Sequence, residues 1–166
     1  ATSSLLFKTD GYSLGSATGG LLSLVNGSGG SATLGAEAGV TGVIDAQIGG
    51  TGKLEKTGAG TLVLAGSNSY SGGTALSAGT LTVRNNNALG GQLIALFSGT
   101  TLRADIRDVQ LYNSVILAGV ANVAVDSGTT LALNGNLASA GGLVKIGAGS
   151  LVLGGSNSQL GNTWLN

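Results

Sequence analysis

The densest group of side chains that could do acid/base chemistry is Arg103, Asp105, Arg107 and Asp108. Two carboxylates beside guanidinium groups could shuttle protons at a glycosidic bond, the chemistry of a polysaccharide-cleaving enzyme. The same residues also read as a solvated loop whose ion pairs contribute about 0–1 kcal/mol each. The second reading fits the rest of the chain better, because no other cluster supports the first. The 166 residues include no His and no Cys, which removes Ser-His-Asp and Cys-His constellations and the usual zinc sites. Gly49-Gly50-Thr51-Gly52-Lys53 approaches a phosphate loop, but Gln47 stands where its first Gly belongs and Leu54 where Ser or Thr would bind magnesium. The segment also lacks the Asp of calcium-binding nonapeptide repeats, so its glycines are expected at corners between strands. No catalytic, cofactor-binding or metal-ligating residue is expected, and the chain is expected not to be an enzyme.

The elements that would position these residues follow from composition. The chain has 32 Gly, no Pro and 4% aromatic residues, yet 42% of it is hydrophobic. A core can therefore form, built from small aliphatic side chains and short strands joined by glycine turns, since Gly alone reaches positive φ without steric cost. Seven basic and seven acidic residues, thinly spread, leave no surface of the kind nucleic acid requires. No apolar run approaches the roughly 20 residues that span a bilayer, and the N-terminus shows no basic region before an apolar stretch. The chain reads as one unit, 1–166, mature and soluble. Without Cys it has no disulfides, so stability must come from repetition.

Two periods are visible. Leu54 to Thr74 aligns with Leu143 to Thr163 at a shift of 89, matching 14 of 21 positions in the frame L-x-K-x-G-A-G-[TS]-L-V-L-x-G-S-N-S. A shorter period repeats a strand start: Thr33-Leu34, Thr61-Leu62, Thr80-Leu81, Thr101-Leu102, Thr130-Leu131 and Ser150-Leu151, with Leu spacings of 28, 19, 21, 29 and 20. Within each strand apolar residues alternate, so one set faces inward. Similar strands at similar spacing favour a solenoid over an antiparallel sandwich, because stacking like on like builds continuous internal ladders. The spacing predicts an all-β parallel β-helix of about seven rungs, with Leu62, Leu81, Leu102, Leu131 and Leu151 in one inward stack. The rung of 29 residues is expected to carry Arg103 to Asp108 as an inserted, exposed loop.

Leu54-Glu55-Lys56-Thr57-Gly58-Ala59-Gly60-Thr61-Leu62-Val63-Leu64-Ala65-Gly66-Ser67-Asn68-Ser69-Tyr70-Ser71-Gly72-Gly73-Thr74, continuing through Ala78-Gly79-Thr80-Leu81 to Asn87-Ala88-Leu89-Gly90, resembles the passenger-associated transport repeat of Gram-negative autotransporters. The copies span 54–90 and 143–166, and the second departs where Gln159, Leu160 and Asn162 replace Tyr70, Ser71 and Gly73. The resemblance implies a right-handed, three-faced β-helix, export through the outer membrane by a translocator barrel elsewhere in the precursor, and display at the cell surface or outside the cell. It also accounts for the missing Cys, since disulfides would obstruct export of an unfolded passenger.

The remaining candidates have structural readings. Tyr70 could stack on a sugar but is expected to pack over a turn. Asn68 and Asn157 recur in both copies, and Asn85-Asn86-Asn87 forms a polar run; all are expected to hold turns by bonding backbone groups. Asn26-Gly27-Ser28 fits a glycosylation sequon, incidental in a bacterial protein. The sequence thus points to a structural or adhesive extracellular stalk with a host-surface or glycan ligand. The alternatives are a polysaccharide-cleaving enzyme and a fibre subunit. For the fibre, Ala1 to Phe7 of one copy would supply the strand that should follow Asn166 of another, by a head-to-tail contact that does not close.

Overall fold

The computed structural model describes residues 4–15, 20–24, 31–139, 141–159 and 161–166. The Asn26 sequon lies outside them, as does the start of the proposed N-terminal docking strand. Among the described residues every strand pairs in parallel and none belongs to a helix. The chain winds into a parallel β-helix with three faces.

The first face stacks eight strands: Ser4–Phe7, Ser31–Ala36, Lys53–Thr57, Thr74–Leu76, Ile94–Leu96, Val115–Leu117, Leu137–Ser139 and Asn157–Gln159. The second stacks eight more: Ser13–Leu14, Thr41–Ile44, Thr61–Leu64, Thr80–Val83, Thr101–Ala104, Ala121–Val125, Leu143–Ile146 and Thr163–Leu165. This is the expected solenoid of about seven rungs. The third face is interrupted. It begins with Leu21–Leu24 on Gln47–Gly50 and ends with Val109–Leu111, Thr130–Leu133 and Ser150–Leu153. Between them two rungs carry turns instead of strands, tied to the ladder by Ser69 N–H to Ile48 C=O and Gly91 N–H to Tyr70 C=O.

Short strands suffice because each is paired on both sides, and alternation sends every second side chain into one continuous core. On the first face the inner columns are Ala32, Leu54, Thr74, Ile94, Val115, Leu137 and Leu34, Lys56, Leu76, Leu96, Leu117. On the second face one column runs Leu62, Leu81, Leu102, Val123, Lys145, Leu165. The expected leucine stack is therefore correct for its first three members and wrong for the last two. Leu131 and Leu151 stand above Val109 on the third face.

The correction has a single cause. Opposed residues on the first face, Leu54, Thr74, Ile94, Val115, Leu137 and Asn157, recur every 20 to 22 residues. Four rungs after Leu54 the chain reaches Leu137, and Leu143 lies six residues further on. The second repeat copy is thus displaced by one face. Where the first occupies the first and second faces in turn, the second occupies the second, third and first. The spacing of 29 between Leu102 and Leu131 is accordingly not a rung with an inserted loop. It is one rung, Leu102 to Val123, plus the step from the second face to the third.

Leu102→Ala should cost about 2–5 kcal/mol, because the paired rungs above and below cannot collapse into the cavity. Leu151→Ala, at a half-buried position beside the last described turn, should cost distinctly less. Urea unfolding of both variants measures the contrast, and equal losses would contradict this register.

Candidate functional site

Arg103 points outward from the strand Thr101–Ala104, and Asp105 is the first residue of the corner that follows. Each is committed to a neighbouring rung. The Arg84 guanidinium donates to Asp105 through Nε to Oδ1 at 2.9 Å and Nη2 to Oδ2 at 2.6 Å. Arg103 donates to Asp126 through Nε to Oδ1 at 3.1 Å and Nη2 to Oδ2 at 2.5 Å. The hydrogen bonds from Arg103 hold the Asp126 carboxyl below the usual carboxylate range. Arg84 lay outside the sequence-level cluster because it is 21 residues from Asp105, close to one rung. Ile106, Arg107 and Asp108 are exposed, and Asp108 takes a left-handed backbone at φ 52° as the chain turns onto the third face. The four residues thus run from a strand into a corner, the first two in axial ion pairs, and Asp105 serves Arg84 instead of pairing with a second carboxylate.

The other candidates are distributed along the helix. Gly49 to Lys53 spans the corner from the third face to the first, where a Cβ on Gly50 would meet Leu24 C=O at 2.5 Å. Asn68 is buried and joins three rungs: its Oδ1 accepts Ile48 N–H at 2.8 Å and its Nδ2 donates to Ala88 C=O at 2.6 Å. Tyr70 is also buried. The Thr74 hydroxyl donates to Leu89 C=O at 3.3 Å, so the Tyr70 hydroxyl donates to Thr74 Oγ1 at 2.6 Å. Burial pushes its phenol above the ordinary value. Both residues hold the strandless turn of the third face, as expected. Asn157 does not share this role. It stands on a strand of the first face, opposite Leu137 on the last described rung, because the second copy has turned by one face. Asn85 Oδ1 accepts Asn87 N–H at 2.9 Å and Asn86 Oδ1 accepts Gln110 N–H at 2.9 Å, so the asparagine run is a turn.

The residue that sequence reasoning missed is Lys56. Its position in the inner column is 0% exposed, and its Nζ donates to the carbonyls of Thr57 at 2.9 Å, Gly58 at 2.8 Å, Gly60 at 3.0 Å and Ala78 at 3.1 Å. The ammonium closes the corner from inside, where backbone carbonyls converge and two close-packed glycines leave no side chain to cover them. Lys145 is its counterpart in the second copy and donates to Gly147 C=O, the equivalent of Gly58. The signal was present: in L-x-K, alternation places the Lys on the same side as an inward Leu.

Two outer surfaces remain open. Along the first face Leu93, Phe97 and Ile116 are each 41–43% exposed. On the second face Thr41, Thr61, Thr80 and Thr101 stand in one half-buried outer column.

The family model described as Passenger-associated-transport-repeat matches residues 54–83 and 143–166. The chain is also similar to the Adhesin BmaC autotransporter of Brucella suis biovar 1 (strain 1330), with 43% identity over 105 residues, 61% of this chain. It spans 3% of that protein's length. No solved structure matches significantly. The two matched segments are thus passenger-associated transport repeats by sequence, and the chain is similar to part of an autotransporter.

Lys56→Met should cost about 2–3 kcal/mol in urea unfolding, since buried carbonyls lose their donor. Burial also pushes the Lys56 ammonium down to about 8 from the ordinary 10.5. Between those values the unfolded chain binds the extra proton, so this group's contribution to stability rises with pH through that window and is lowest below it. The native chain should therefore gain on Lys56→Met from about pH 7 to about pH 10. A pH-independent difference would assign Lys56 an ordinary pKa. Asp105→Ala, which breaks a bidentate pair whose Arg84 side is open to solvent, should cost about 1 kcal/mol.

Proposed function

We propose that the chain is a non-catalytic, structural and adhesive segment of a rod exported through the outer membrane to the cell surface or beyond. The observation that carries this reading is the combination of one continuous buried column system with flat outer faces that expose apolar and hydroxyl side chains along the axis. A rod whose core continues from rung to rung transmits load through backbone ladders. Exposed apolar side chains at Leu93, Phe97 and Ile116, on two adjacent rungs of the first face, offer a contact surface. The relative named as an adhesin supports the adhesive half of the reading. Its partners would be a translocator barrel elsewhere in the precursor and a host-surface protein or glycan.

Binding of the chain to host cells and to arrays of host proteins and glycans tests adhesion. Retention should fall when Phe97→Ser and Ile116→Ser replace the apolar face, and absence of retention on every surface would leave only a stalk. Incubation with neutral and acidic glycans should yield no cleavage. Cleavage lost in Asp105→Asn with Asp108→Asn would establish an enzyme instead.

A further inference from the structure

We propose that the outer surface of the second face binds a neutral, linear glycan laid along the axis of the rod. This proposal rests on the adhesive reading and names the ligand class for one surface. Thr41, Thr61, Thr80 and Thr101 oppose one another on four consecutive rungs. Their side chains lie on the outer side, because Leu62, Leu81 and Leu102, next in sequence to three of them, point into the core. Adjacent hydroxyls are therefore one strand spacing apart, about 4.8 Å.

Each hydroxyl both donates and accepts hydrogen bonds, as sugar hydroxyls do, and each methyl offers apolar surface to the C–H side of a sugar ring. The column is uncharged, which favours a neutral chain over a sulfated or acidic one. Its uniform interval suits a polymer of one repeating unit better than the irregular surface of a globular protein.

An independent observation on the same face points to a missing partner. Thr82 lies two residues after Thr80 on the outer side of the same strand, 1% exposed, and its hydroxyl has no hydrogen-bond partner. Buried hydroxyls are rarely left unpaired. In its row Thr82 is flanked by Val63 and Arg103. The Arg103 pair with Asp126 is open to solvent, with side-chain exposures of 42% and 37%. Such pairs hold weakly. Arg103, next to Thr82 in the row and held by that exposed pair, can turn to donate to a ligand oxygen, and a local shift of the side chains around Thr82 would bring its hydroxyl to a second one.

Calorimetric titration of the chain with soluble oligosaccharides of glucose and of N-acetylglucosamine tests this, with a sulfated glycosaminoglycan as comparator. Binding to a neutral oligosaccharide should weaken about tenfold in Thr61→Val with Thr80→Val and recover in Thr61→Ser with Thr80→Ser. In the unaltered chain the same oligosaccharide should slow amide exchange in Thr61–Leu64 and Thr80–Val83 without affecting Ile94–Leu96. Binding that ignores both valine replacements, or protection elsewhere, would overturn the site. Preference for the sulfated chain would overturn the neutral class. Threonine-dependent inhibition of ice growth without glycan binding would assign the column to ordered water. Retention on host cells without any glycan binding would sink this proposal while leaving the adhesive reading intact.

Discussion

Every rung must bring the chain back directly above itself at one hydrogen-bond spacing, and the rest of the structure depends on that constraint. Strands satisfy it easily. Corners do not, because there one backbone lies on another with no pleat to separate them. At Gly60 an added Cβ would sit 2.1 Å from Glu37 C=O and 2.5 Å from Val40 C=O. At Gly58, held at φ +74°, it would sit 2.3 Å from Ala36 C=O. Only a residue without a Cβ stacks there. The closeness that excludes side chains also concentrates carbonyl groups, and the Lys56 ammonium answers them from within the core.

The same corner recurs in the second copy with nearly the same contacts. A Cβ on Gly149 would meet Asp126 C=O at 2.2 Å and Thr129 C=O at 2.7 Å, and one on Gly147 would meet Val125 C=O at 2.4 Å. Yet this corner joins the second face to the third, whereas the corner at Gly58 joins the first to the second. The repeat therefore specifies a strand, a corner and a strand, without specifying which face they occupy. All three faces present the same ladder chemistry and the same inward column of aliphatic side chains, so a displaced copy finds an equivalent environment. The third face shows the limit of this equivalence. In two rungs it has turns held by Asn68, Tyr70 and Asn87 where later rungs have strands.

Because the core and ladders need only half of each strand, the outward half is free to vary. It carries the axial pairs Arg84–Asp105 and Arg103–Asp126, the apolar group around Phe97 and the threonine column. These pairs join rungs a full turn apart in sequence, so the charged groups of one local run, Arg103 and Asp105, hydrogen-bond to partners on neighbouring rungs and not to each other. A stacked fold converts local clusters into axial rows, and a surface built from rows suits extended partners.

Much of this was legible in the residues. Alternation around Leu62, Leu81 and Leu102 fixed their inward side, the duplicated L-x-K-x-G-A-G frame fixed a strand and a glycine corner, and the lack of His and Cys narrowed the chemistry. Asn68 and Tyr70 were readable as turn supports from their place in the frame. Face assignment was not readable, because it depends on the total number of residues in each rung, summed over strands and corners that look alike locally. Four rungs carry Leu54 only to Leu137, six residues short of Leu143, so the repeat shift of 89 residues is four rungs plus one face, and Leu131 and Leu151 fall on a different face from Leu102. Partners across rungs were hidden for the same reason: that Arg84 meets Asp105, and that Lys56 reaches Ala78, follows only once the rung length sets which residues lie above which.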